Sequence, residues 1–339
     1  MQADRRTWAP GPVVGALALW LAQLARPARA LAHDGEPPAP HDLWYAWNFD
    51  LLILGTLLIS SVLFARGVRD FRDQGRPVAW WRPAAFYAAL FAAAVALISP
   101  LDALSGSLFS AHMVQHLLLI MVTAPLISLA APLAPLLRGL PRGLQKDLGQ
   151  GWNKLQPAHR WLRWLGYGWI AWLLHAAAVW LWHLPGPYQA ALRNDFLHAV
   201  EHAALLGTAL LYWSTIVPIS VRRREAGGWA FLSLVAMAIQ GSVLGALMTF
   251  SPQPWYPAYA ETVLLWGLTP LEDQQVAGVL MWVPPGIVYM AAAIGLFGVW
   301  LGRMENGPVG NRPGPSGDTR DRNRRTLLPG PAPSPRKES

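Results

Sequence analysis

The sequence predicts an all-α fold: a polytopic membrane helix bundle of seven transmembrane helices, with the N-terminus outside and the C-terminus cytoplasmic. Three observations predict it. The 339-residue chain is 53% hydrophobic and 14% charged, where soluble domains carry roughly 25% charged residues; its mean hydropathy is +0.27. Seven apolar runs are long enough to cross a hydrocarbon layer of ~30 Å. The chain also holds 19 tryptophans, a residue enriched where an apolar ring meets wet headgroups.

The elements follow in chain order. Residues 1–32 read as a signal peptide. Arg5 and Arg6 precede an apolar run from Pro12 to Ala25, and Ala28-Arg29-Ala30-Leu31-Ala32 offers Ala-x-Ala before His33. The run is shorter than the ~20 residues of a span, and the alternative is an uncleaved anchor. Either reading puts residue 33 outside. Residues 33–46 form an outer polar segment, rich in proline, in which His33 and His41 read as mobile surface histidines.

Residues 47–303 hold the spans: Trp47–Ala65, Pro83–Leu101, Leu108–Leu129, Leu165–His183, Phe196–Ile216, Trp229–Phe250 and Val276–Leu301. They are helical because lipid offers no partner to a free backbone group; barrel strands would alternate over ~10 residues. No internal repeat is evident. Proline marks where the regularity fails. Pro125, Pro132 and Pro135 should kink or end the third span, and Pro284-Pro285-Gly286 should break the seventh. Residues 304–339, rich in Pro, Gly, Ser and Arg, read as a disordered cytoplasmic tail against anionic lipid.

Loop charge fixes the orientation. Arg66, Arg69, Arg72, Arg76 and Arg82 follow the first span. Arg138, Arg142, Lys146, Lys154, Arg160 and Arg163 follow the third, and Arg222, Arg223 and Arg224 follow the fifth. The three intervening loops hold only Arg193, one basic residue against fourteen. The net charge of +8 therefore lies in loops and tail with no aromatic interleaving, which argues against nucleic acid. Cysteine is absent, excluding disulfides, thiolate metal sites and Cys nucleophiles; a metal would have to use His, Met or carboxylate.

Ionisable side chains inside spans are expensive and mark function by default. His112 and His116 open the third span as His-Met-Val-Gln-His. His175 and His183 lie in the outer half of the fourth, and His198 and His202 open the fifth as His-Ala-Val-Glu-His. All six fall toward the outer face. Two pairs are i,i+4 and share a helix face. At ~1.5 Å per residue, His116, His175 and His202 reach similar depths below a shallower layer of His112, His183 and His198. Two stacked triads of neutral imidazole would suit copper or zinc. Met113, Met248 and Met281 near outer helix ends offer thioether for Cu(I). Asp50 and Asp273 are carboxylates that could orient an imidazole N–H, with Asp273 alternatively a helix N-cap. Glu201, one residue from His202, is expected on another face. The alternatives are hydrogen-bonding glue between helices, bis-histidine haem ligation or a quinone oxidoreductase, and a transporter with a histidine proton relay.

Four motifs add a likeness. His-Met-Val-Gln-His-Leu-Leu-Leu at 112–119, Trp-His-Leu-Pro-Gly-Pro-Tyr at 182–188, His-Ala-Val-Glu-His at 198–202 and Asp-Gln-Gln-Val-Ala-Gly-Val-Leu-Met-Trp-Val-Pro at 273–284 resemble the CtaG-type cytochrome c oxidase assembly family over about residues 45–300. The resemblance implies a non-enzymatic assembly factor of the bacterial plasma membrane. Its partner would be a haem-copper terminal oxidase subunit, to which it would deliver copper. Carried over by motif, the ligands would be His112, His116, His183, His198 and His202; His175 is added by the depth arithmetic. Ala277-Gly278 stands where the family pattern has a glycine pair.

Overall fold

A computed structural model describes residues 38, 40–154, 167–217 and 227–305. The leader, His33, Arg160, Arg163, Arg222 to Arg224 and the tail from residue 306 lie outside the described residues. The described residues up to Phe297 form one compact unit, and every site residue below belongs to it.

The described residues are helical and contain no strand. The helices are α1 (Leu51–Asp73), α2 (Trp81–Leu97), α3 (Pro100–Ser105), α4 (Phe109–Ala130), α5 (Leu133–Gly139), α6 (Arg142–Lys154), α7 (Gly168–Trp182), α8 (Pro185–Leu192), α9 (Asp195–Ile216), α10 (Gly227–Thr249) and α11 (Pro270–Glu305). Four of them, α1, α4, α10 and α11, are long and apolar enough to cross a membrane; α2 and α7 are shorter apolar helices of 17 and 15 residues. Leu51, Leu58 and Ile59 on α1, with Ile287 and Ile294 on α11, are large, apolar and exposed. Soluble monomers avoid such extended apolar surface, whereas lipid covers it at no cost.

Local chemistry starts and stops these helices. Asp50 accepts from the N–H groups of Leu52 (2.7 Å) and Ile53 (3.1 Å) and caps α1. Ser99 caps α3 ahead of Pro100, and Asn194 caps α9 through the N–H of Leu197. Thr269 and Glu272 form a capping box at the start of α11. Ala131 takes a left-handed φ of 46° and ends α4 before Pro132, as the sequence leads one to expect.

Two prolines act differently from expectation. Pro284 and Pro285 do not break α11, which runs as one helix from Pro270 to Glu305; in an apolar setting neighbouring groups can satisfy the carbonyls a proline frees. Within α4, Leu118–Thr123 form a π-helical turn just ahead of Pro125, in which the N–H of Ala124 bonds the carbonyl of Leu119. Proline cannot donate to the carbonyl four residues back, and the wider turn redistributes the bonds. The indole N–H of Trp213 on α9 donates to the carbonyl of Ile120 at that turn (3.0 Å).

The main core is built from Phe109, Met113 and Leu119 of α4, Leu205, Leu206 and Tyr212 of α9, and side chains of α10 and α11. Small residues permit the closest crossings. Gly67 on α1 lies against the carbonyl of Pro135 on α5, and Gly139 returns the contact to Leu63. Gly278 meets Gly245 and Thr249 of α10, so Ala277-Gly278 still supplies a close approach at the position of the family's glycine pair.

Candidate metal centre

Helices α4 and α9 bring their two i,i+4 histidine pairs face to face. The rings of His112 and His198 stack with centroids 5.2 Å apart, those of His112 and His202 lie 5.8 Å apart, and His116 meets His202 at 5.2 Å. Within α4, His112 Nε2 and His116 Nε2 are 2.9 Å apart. His183 sits just past the end of α7 and reaches His116 with a centroid separation of 6.0 Å. Five of the six predicted histidines thus converge.

His175 does not join them. Its Nδ1 faces Thr208 Oγ1 at 3.0 Å and its ring lies against Tyr212 at 5.9 Å. The two-layer arrangement therefore fails: depth along a helix says nothing about rotation, and eight residues on one helix separate His175 from His183 by ~12 Å. The layer pairing of His116, His175 and His202 is replaced by contacts of His112 with both His198 and His202 and of His116 with His202.

Glu201 is the residue that the sequence reading sent elsewhere. It is fully buried, and its Oε1 lies 3.8 Å from His112 Nε2 and 3.7 Å from His116 Nε2. Neighbouring helix positions differ by about 100°, and α4 packs into that angle, so Glu201 and His202 flank the same histidine pair. Neither carboxylate oxygen has a hydrogen-bond partner within the protein. A buried ionisable side chain in an otherwise apolar helix was the signal available to find it.

Hydrogen bonds fix which ring nitrogens carry lone pairs. The Val179 carbonyl can only accept, so His183 Nδ1–H donates to it at 2.6 Å, leaving Nε2 unprotonated and unpartnered. Tyr259 donates its hydroxyl proton to the Ser105 carbonyl (3.1 Å) and accepts from Tyr188 (2.8 Å) and from His112 Nδ1–H (3.4 Å). His112 Nε2 then accepts from His116 Nε2–H (2.9 Å) beside Glu201, a hydrogen bond that a metal ion held between the two nitrogens would replace. His198 Nε2 and His202 Nε2 are also buried without partners. Outer partners that hold one ring nitrogen protonated and aim the other are what metal ligation by imidazole requires.

The ligand-type atoms fall into two groups, each mutually within 4.8 Å: His112, His198 and His202, and His112, His116 and Glu201. The second group is wholly buried; in the first, His198 and His202 are half-buried. Beside His183 lies a cavity of about 270 Å³ lined by Trp180, Leu184, Pro185, Leu244 and Trp255.

The remaining candidates have other tasks. Asp273 is buried and orients no imidazole; its carboxylate accepts from the N–H of Phe109 (2.7 Å), the N–H of Ser110 (3.2 Å) and the Ser110 hydroxyl. It caps α4, whose own N-cap position holds Leu108, a residue with no side-chain acceptor. Asp50 serves its own helix, as described above. Met113 and Met281 are packed in the apolar core, and His41 is an exposed side chain beside Asp42. Gln115, between the two α4 histidines in sequence, donates to Asp102 (2.7 Å) and to the Ala96 carbonyl (2.8 Å), and Asn48 donates to the other Asp102 oxygen (2.7 Å). Tyr188 and Gln115 lay inside the quoted motifs without a role assigned to them, and Tyr259, Asp102 and Asn48 had no motif to announce them.

No solved structure matches the chain. Among curated proteins it is similar to an uncharacterised protein of Mycobacterium bovis and to one of Mycobacterium tuberculosis, each 24% identical over 277 residues and 78% of this chain. The chain spans 41% of the length of those relatives. A family model described as cytochrome c oxidase caa3 assembly factor matches residues 62–303, and the chain belongs to that family.

Proposed function

We propose that this protein supports maturation of a haem-copper terminal oxidase by binding copper at the histidine–glutamate centre and passing it to an oxidase subunit. It would act in the bacterial plasma membrane through seven spans, with the centre toward the outer face, as the loop charges imply. The observation that carries the reading is the convergence of His112, His116, His183, His198 and His202 around a buried Glu201, with unpartnered nitrogen and oxygen atoms among them. Imidazole suits copper, and no thiolate is available to hold it irreversibly. His198 and His202 are the least buried of the group, and their unpartnered Nε2 atoms are free to exchange, which a handover requires and a closed four-ligand site would resist.

The packing speaks against haem. Bis-histidine ligation places two nitrogens on opposite faces of a macrocycle; here His112 and His116 touch nitrogen to nitrogen and their rings pack on His198 and His202. A role in assembly, without catalysis, accords with the family.

The test uses the detergent-purified full chain with copper added alone. Wild type should retain copper after gel filtration, and the double variant His116→Ala with His202→Ala, which removes one imidazole from each ligand group, should lose it. In cells the same variant should lower oxidase activity per oxidase protein. Unchanged copper retention by the double variant overturns the proposal.

A further inference from the structure

The two ligand groups share one residue. Building on the copper reading above, we propose that His112 is common to two overlapping seats: an open one formed with His198 and His202, and a buried one formed with His116 and Glu201. The carboxylate makes the buried seat selective for the divalent ion.

Geometry separates the seats. Bonds of ~2.0–2.1 Å in a tetrahedral site place neighbouring ligand atoms ~3.3–3.4 Å apart. The edges of the His112–His116–Glu201 triangle, at 2.9, 3.7 and 3.8 Å, bracket that distance, so this seat needs only small side-chain adjustments. The ligand atoms of the His112–His198–His202 group also lie within 4.8 Å of one another, close enough for side-chain adjustment to bring them onto one ion. His198 and His202 are half-buried as residues, with their Nε2 atoms shielded, whereas every residue of the other seat is buried.

Donor chemistry separates them again. Three neutral imidazoles bring no charge and suit Cu(I); a carboxylate oxygen is harder and favours the divalent ion. Charge acts in the same direction. A dication among imidazoles alone would be buried with both charges uncompensated, which is costly in an apolar bundle, and Glu201 offsets one of them. Both oxygens of this fully buried side chain lack protein partners, although buried polar groups are almost always paired. An ion moves between seats by exchanging the remaining two ligands while His112 stays in reach of both.

The test is competitive titration of the full-length protein in detergent with Cu(I) and, separately, Cu(II). Glu201→Gln should weaken Cu(II) more than tenfold and Cu(I) less than threefold. His198→Ala should show the reverse pattern, and His112→Ala should weaken both more than tenfold. Should Glu201→Gln fail to elute as folded protein, His198→Ala carries the same decision. Variants in which the two affinities move together, or not at all, overturn the two seats while leaving copper binding intact. A wild type that binds neither ion overturns the copper reading itself.

Discussion

Asp273→Ala removes the cap on which the first helix of the candidate metal centre depends. Leu108 cannot cap α4, so the N–H groups of Phe109 and Ser110 rely on a carboxylate 164 and 163 residues away. Hydrogen bonds to a charged partner contribute about 1.5–3 kcal/mol each, and losing an N-cap costs about 0.5–2 kcal/mol. These figures overlap, because both count the same donors. A loss of about 3 kcal/mol is therefore expected for Asp273→Ala, since the site is buried and the freed donors stay hidden from water. Asp273→Asn keeps one acceptor oxygen and should cost about half as much. Unfolding of the purified protein by SDS titration measures both. Copper affinity provides the second readout: His112 is one turn into α4, and fraying of that turn should lower it. A loss below about 1 kcal/mol for Asp273→Ala, or equal losses for Ala and Asn, would refute the capping account.

Three further outcomes are expected. Tyr259→Phe removes one acceptor of His112 Nδ1–H together with the partner of Tyr188 and of the Ser105 carbonyl; copper affinity should fall about tenfold and stability by about 1–3 kcal/mol, and equal affinity would show that the hydroxyl does not aim the ring. Gly67→Ala drives a methyl into the Pro135 carbonyl, a backbone atom that cannot turn aside, and should cost about 1–3 kcal/mol in the same SDS titration; neutrality would mean that α1 and α5 separate freely. Burial pushes the Asp102 carboxyl up to about 6 from 3.8, with the Asn48 and Gln115 bonds opposing the rise. The folded protein then binds more protons than the unfolded chain between those values, so stability is lost as pH rises from about 4 to 6, by at most about 3 kcal/mol. Asp102→Asn should flatten that part of the pH–stability profile, and parallel profiles for variant and wild type would remove Asp102 as the cause.

Much of the helical layout was readable from apolar run length, because lipid leaves a backbone few alternatives. The i,i+4 pairs were readable too: His112 with His116 and His198 with His202 are fixed to one face by the helix period alone. What the period cannot give is the rotation of one helix against another. That single unknown put His175 into the site and left Glu201 out. Rotating α9 by one residue exchanges which of Glu201 and His202 faces α4, and only packing between the two helices shows that both do. Asp273 was read as a possible N-cap, but that the helix it caps is α4 was invisible for a different reason. The absent cap at Leu108 was on the page, but its replacement lies on α11 and depends on a tertiary contact. Tyr259 sits in a short 3₁₀ turn, Pro257–Tyr259, between α10 and α11, where no periodicity operates.

The placement of these supports bears on how a site can be both ordered and exchangeable. His112 is held at three levels: Asp273 fixes the start of its helix, Tyr259 fixes its ring tautomer, and the π-helical turn pinned by Trp213 follows its partner His116 within α4. The residues opposite are held less closely. His198 and His202 are half-buried, and their Nε2 atoms have no protein partner. Rigidity is thus concentrated on the one ligand common to both groups. If all five imidazoles were fixed equally, an ion would be trapped in whichever group fitted it best. If none were, the apolar bundle would have no preformed place for a charge. A fixed His112 with movable neighbours meets both demands, since each exchange breaks bonds to the neighbours while one bond persists. Weakening the supports of His112 should therefore damage retention of copper, whereas loosening His198 or His202 should chiefly change the rate at which it leaves.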